Sequence, residues 1–200
     1  GRNACLKKVL SFSVTVALFL VISAGVLADF DSETDYGLIM VEAAVAGDAE
    51  AGIEAERQRN EKIDTLGIDE QKISYQDLVL LARVIHIEAG SEWLPDEWKM
   101  AVGEVLLNRV ASPEFPDTIK ECVYQEGQYG GAGESWYEKL TPYRSCAVAA
   151  KRLLSGERVL NEPSVVFQSN GPQGSGVFRE FRDACFGTTY LCYSTYPELY

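Results

Sequence analysis

The chain of 200 residues contains a single histidine, His86, and its five cysteines include no C-x-x-C pair. Zinc centres draw on clustered Cys and His, so no metal or other cofactor is expected. Basic residues are also scarce, 18 against 30 acidic ones. Three of the 18 lie in residues 1–28, which hold no acidic residue, so the remainder carries 15 against 30. Phosphate binding requires clustered Lys and Arg, so nucleic acid is excluded as a partner. The same balance disfavours docking on anionic lipid.

The one long apolar run is at the start. Lys7-Lys8 precede Val9 to Leu27, and Val26-Leu27-Ala28 supplies small residues for a cleavage site. Residues 1–28 therefore read as a secretory signal peptide, with an uncleaved membrane anchor as the alternative. Membrane contact is expected only through that leader if it is retained, and the rest is expected to be extracellular or in the cell envelope. Cys122, Cys146, Cys185 and Cys192 remain after the leader, and four cysteines allow three pairings. Structural disulfides are the expected use. Cys185 with Cys192 is the local option, which would leave Cys122 with Cys146.

Residues 29–72 hold 13 acidic and four basic residues, no Trp or Cys, and one tyrosine, Tyr36. With few large apolar residues to bury, this stretch reads as an acidic, solvated spacer, with a partner-binding helix as the alternative. Residues 73–200 hold all three tryptophans and are long enough for one domain with its own core.

Ser74 and Asp77 resemble a capping box that opens a helix. Leu78, Leu81, Ile85 and Glu88 follow at helical spacing, so they share one face, and Gly90 is a natural stop. Glu88 thus continues an apolar stripe in the last turn of its helix. Desolvation and the negative helix end both raise a carboxyl pKa there, as a general acid requires. The alternative is a glutamate that turns outward as the helix ends.

His86-Ile87-Glu88 looks like half of a zinc deaminase signature, but no Pro-Cys-x-x-Cys follows. Residues two apart on a helix point about 200° apart and cannot share one ion. A packed or substrate-facing histidine is the expected role.

A second helix is expected from about Asp96 to Val110, with Ala101, Val102, Val105, Leu106 and Val110 buried. Glu104 and Asn108 form a solvated pair by default. The segment Tyr124 to Gly131 mixes amides, aromatics and glycines, as sugar sites do. A third helix is expected from about Thr141 to Gly156, and Ser164 to Gln168 reads as a strand. The tail after Thr188 reads as pinned irregular structure.

Leu80 to Gly90, with Leu106-Leu107-Asn108-Arg109-Val110, Ser112 to Pro116 and Gln125 to Tyr129, resembles the SleB-type cell wall hydrolases, the spore cortex-lytic family. The resemblance covers roughly residues 75–170. It implies a mainly α, lysozyme-like α+β fold with a small β element, acting on the glycan strands of peptidoglycan. It also implies that Glu88 is the catalytic residue, and Gln125, Gln128, Tyr129, Phe167 and His86 are the expected substrate contacts. Hydrolytic glycosidases generally need two carboxyl groups, and only Glu88 sits in a recognisable motif. The resemblance therefore favours a lytic transglycosylase. A hydrolysing muramidase, using one of Glu92, Glu97, Glu126 or Glu134, and a non-catalytic wall-binding module are the alternatives. Where the family usually has Gln-Phe-Ser, this chain has Gln128-Tyr129-Gly130. Phe167 is followed by Gln168-Ser169-Asn170 rather than the usual Tyr-Asn-Pro.

Overall fold

The computed structural model describes residues 34–200, so the leader lies outside the described residues. Among the described residues, seven α-helices precede a three-stranded sheet: α1 (Tyr36–Ala46), α2 (Ala49–Leu66), α3 (Tyr75–Ala89), α4 (Asp96–Ala111), α5 (Ile119–Tyr124), α6 (Ser135–Glu138) and α7 (Arg144–Leu154). The strands are β1 (Val165–Ser169), β2 (Val177–Asp183) and β3 (Gly187–Tyr193), and a 3₁₀ turn, Pro197–Leu199, follows. The fold is mainly α with a small β element. Among the described residues, no helix is long and apolar enough to cross a membrane.

Helix α3 begins where the sequence indicates, with the Ser74 hydroxyl accepting the Asp77 N–H. It ends at Gly90, although not through a left-handed turn, since Gly90 has φ −75°. A Cβ there would lie 2.0 Å from the His86 carbonyl oxygen, so the requirement is close approach. Leu78, Leu81 and Ile85 are fully buried, as the stripe demands.

Helix α4 is enclosed around most of its circumference. Trp98, Lys99, Met100, Gly103, Glu104 and Arg109 are buried along with Ala101, Val102, Val105 and Leu106 of the expected face, while Val110 is half-buried. At Gly103 an added Cβ would lie 2.5 Å from Leu153 and 2.8 Å from Ile85. Glycine in a helix interior costs about 1 kcal/mol relative to alanine, and here it lets α3, α4 and α7 meet closely.

The spacer expectation fails for residues 36–66. Met40, Val41, Ala43, Ala44 and Ala55 join the same hydrophobic core as Leu78 and Leu153. The acidic stretch lacks bulk, but small residues achieve burial by close approach. A Cβ on Gly52 would lie 2.2 Å from the Tyr75 ring. Glu56 accepts the Tyr75 N–H at 2.8 Å, so α2 caps the start of α3. Helices α1 and α2 thus belong to the unit that carries α3.

The tail after Thr188 is also not irregular. β3 is the central strand of an antiparallel sheet ordered β1-β3-β2, with Thr189 and Leu191 buried. β2, Val-Phe-Arg-Glu-Phe-Arg-Asp, is an edge strand, where exposed charge is tolerated and blunts unwanted pairing.

The disulfide expectation fails as well, because Cys122, Cys146, Cys185 and Cys192 are free thiols. Gly187 pairs with Asp183 and Cys192 with Val177, so Cys185 lies in the β2–β3 turn and Cys192 at the hairpin's other end. Five strand residues span roughly 16 Å, beyond the roughly 7 Å limit between Cα atoms for a disulfide. Cys122, on α5, donates to the Pro116 carbonyl at 3.1 Å. Cys146 lies on α7 within the hydrophobic core.

Candidate active site

The site is assembled where the last turn of α3 faces α4, the loop after α5, and β1. Glu88 contributes the carboxyl. Burial pushes its pKa above the ordinary carboxyl value, against the opposing effects of the Arg109 charge and a hydrogen bond with the Gln168 side chain. An acid in this setting holds its proton to higher pH than a solvated glutamate, which suits proton donation.

Arg109 is the hub. Its Nε donates to the Val166 carbonyl at 2.6 Å and its Nη1 to Gln128 Oε1 at 3.0 Å. Its guanidinium lies 5.1 Å from the Phe115 ring centroid and 5.3 Å from that of Tyr129. One side chain of α4 therefore ties β1 and the glycine-rich loop to the neighbourhood of Glu88. The planar, always-charged fork of arginine suits this role in a way that lysine does not.

Two other polar residues of α4 hold the approach to β1. Glu104, 1% exposed, accepts the backbone N–H groups of Val159, Leu160 and Asn161 at 2.6, 2.9 and 3.0 Å. Asn108 donates to the carbonyls of Glu162 and Val165, both at 3.0 Å. Glu104 and Asn108 are thus not the expected solvated pair but two struts, the first buried and the second half-buried. A register shift between Val165 and Phe167 then re-phases β1 against β3. Such irregularities re-aim side chains, and Gln168 comes to face Glu88.

Tyr129 is enclosed, and burial pushes its phenol up to about 12, with the Glu88 charge adding to the effect. The oxygens Gln125 Oε1 and Gln168 Oε1 are buried without a hydrogen-bond partner, while the Tyr129 phenol has the Arg109 side chain as a partner. Buried polar atoms are rarely left unpaired, so the two amide oxygens are positions at which a polar ligand would be favoured.

The structure therefore brings together Glu88, Gln128 and Tyr129 from the sequence expectation, and adds Arg109 and Gln168. Gln125 ends α5 on the same loop. Phe167 is turned edge-on to Phe115 at 6.3 Å and packs as a wall. His86 faces elsewhere. Its ring stacks on Tyr143 at 4.2 Å, and its Nδ1 accepts the Tyr143 N–H at 3.2 Å. Burial lowers the His86 pKa, with the Thr141 backbone opposing. Among the described residues, no group of His, Cys, Asp and Glu is placed to hold a metal ion.

Residues 94–175 match the family model described as Cell Wall Hydrolase, in keeping with the resemblance of the motifs to the SleB type. The match includes Arg109, Gln125, Gln128, Tyr129 and Gln168, and begins just past Glu88. A curated relative, the spore cortex-lytic enzyme of Oceanobacillus iheyensis, is 34% identical over 70 residues. The aligned part covers 34% of this chain and 25% of that protein, so the chain spans about a quarter of the relative's length. No solved structure gives a significant match.

Proposed function

We propose that this protein cleaves the glycan strands of peptidoglycan as a lytic transglycosylase, acting between N-acetylmuramic acid and N-acetylglucosamine. The observation that carries this reading is the setting of Glu88. Its carboxyl is desolvated, and Arg109 is the one charge prominent in setting its pKa. A single carboxyl suffices if water is not the nucleophile.

Protonated Glu88 gives its proton to the glycosidic oxygen as the bond from that oxygen to muramoyl C1 breaks, and the N-acetylglucosamine portion leaves with its 4-hydroxyl restored. The muramoyl C6 hydroxyl then attacks C1. Its proton returns to the Glu88 carboxylate, and a 1,6-anhydro ring closes. Arg109 stabilises the carboxylate between the two transfers. Gln128, Tyr129, Gln125 and Gln168 are the sugar-binding groups in this reading. The substrate lies outside the cytoplasm, which fits residues 1–28 as a secretory leader or anchor.

Mass spectrometry of digested peptidoglycan tests the proposal. Anhydro-muropeptides support it, and new reducing ends replace it with a hydrolysing muramidase. An unchanged polymer points to a wall-binding module. Glu88→Gln keeps the side-chain shape and removes the titrating proton, so digestion at the wild-type rate by this variant would overturn the assignment of Glu88.

A further inference from the structure

His86 precedes Glu88 by two residues, so it leaves α3 about 200° around the helix. It opens there on a separate cleft of about 520 Å³, lined also by Ser91, Glu92, Trp93, Tyr143 and Phe186. The three aromatic residues of this lining are unusually open, with Trp93 65% exposed, Tyr143 46% and Phe186 36%.

Each of them is nevertheless held in place. Tyr143 is fixed by the His86 stack and the hydrogen bond to Nδ1. The Trp93 indole N–H donates to Asp183 Oδ1 at 3.4 Å. That same oxygen accepts the backbone N–H groups of Cys185 and Phe186 at 2.9 and 2.8 Å. The Phe186 ring meets buried Trp98 edge-on at 5.3 Å. One carboxylate thus fastens the β2–β3 turn to the loop after α3. Rings ordered before a ligand arrives lose little entropy when it binds.

The chemistry of the lining narrows the ligand. Flat aromatic faces cover the apolar C–H face of a β-linked sugar ring. Ser91 and Glu92 offer a hydroxyl and a carboxylate to sugar hydroxyl and acetamido N–H donors. No Lys or Arg lines the cleft, and Glu92 adds negative charge. Muramic acid carries a lactyl carboxylate or a peptide in its place, and nothing here would pair with either. N-acetylglucosamine is uncharged.

We propose that this cleft is an accessory subsite for an N-acetylglucosamine ring of the glycan strand, gripped by Trp93 and Tyr143 away from the bond that is cut. The proposal rests on the reading of the protein as a glycan-strand enzyme. It supplies affinity and specificity, and no chemistry.

The test uses the full chain carrying Glu88→Gln, titrated with the β-1,4 trimer of N-acetylglucosamine and followed through indole N–H signals by NMR. Trp93 is assigned by its loss in Trp93→Phe. A saturable shift of the Trp93 signal is expected, with Trp93→Ala and Tyr143→Ala each weakening binding at least about tenfold, as lost aromatic anchors do. Placed in the otherwise wild-type chain, Trp93→Ala should raise KM on isolated wall and leave kcat nearly unchanged. Both side chains are exposed, and an unchanged Tm shows that the fold is intact. No binding, binding that leaves the Trp93 signal still, or an unchanged KM overturns the subsite. Wild-type digestion of wall by the Glu88→Gln variant overturns the catalytic assignment instead and leaves the NMR result standing.

Discussion

Glu88 and Glu104 lie on adjoining helices, and both are withdrawn from water, yet their surroundings put them to different uses. Glu104 accepts three backbone N–H groups, and its oxygens are fully engaged in holding residues 159–161. Glu88 has only the Arg109 charge and a hydrogen bond with Gln168, too little to offset desolvation, and its pKa rises. Burial alone therefore does not mark a catalytic acid. The difference lies in how completely the protein solvates the carboxyl in place of water.

The sharpest way to break this comparison is to neutralise each glutamate in turn. Glu88→Gln should lower the rate of wall digestion by about 10²–10⁴-fold, the usual contribution of a general acid. Its stability should move the other way. Because folding raises this pKa, the unfolded chain releases the proton more readily. Wild-type stability then falls as pH rises from 4.5 through the higher folded value. Glu88→Gln removes that loss, so its Tm should exceed the wild-type Tm at neutral pH and converge with it below the ordinary carboxyl range. A lower Tm at neutral pH would show that the site stabilises the carboxylate.

Glu104→Ala should do the reverse, leaving three backbone N–H groups, that of Leu160 buried and those of Val159 and Asn161 partly so, without their acceptor. A loss of about 3 kcal/mol is expected, read as a fall in Tm of roughly 10 °C by calorimetry. Activity measured well below that Tm should persist, because Glu104 touches no substrate. Loss of activity in a still-folded variant would mean that the 159–161 strut does more than support β1.

A subtler change sharpens the Glu88 half. Gln168 favours the charged form of Glu88, so Gln168→Leu should push the acid's pKa higher still and move the alkaline limb of the pH–rate profile upward. A downward movement would show that Gln168 does not serve the carboxylate. The smallest effect is expected at His86, whose pKa burial lowers. Its contribution to stability is present above the ordinary value of 6.5 and is lost as pH falls through the folded value. His86→Gln should flatten that acid-side decline in Tm. An unchanged decline would place its origin elsewhere.

The helices around Glu88 were legible in the sequence because periodic apolar residues and caps act locally. Ser74, the Leu78–Leu81–Ile85 stripe and the start of α4 all fell where such signals place them. Three kinds of feature were not local. Helices α1 and α2 bury through Ala43, Ala44 and Gly52, whose small size hides their packing from composition. β2 is an edge strand dressed in Arg and Glu, and it conceals β3 as the centre of a sheet. Gln168 reaches Glu88 only through the register shift in β1, which no spacing rule exposes. Arg109 was visible within the Leu-Asn-Arg-Val motif, but its role depends on the partners that three separate segments bring to it. The cysteine arithmetic failed for a related reason, since sequence proximity of Cys185 and Cys192 becomes hairpin length once the strands pair.

That hairpin leaves one practical handle. Cys122, Cys146 and Cys192 are buried, while the Cys185 thiol is exposed in the turn beside Phe186. Among the described cysteines, a maleimide dye would react there first, at the rim of the aromatic cleft. The natural chain then becomes its own optical reporter, with a fluorophore placed to sense a sugar arriving at Trp93 without any engineered residue.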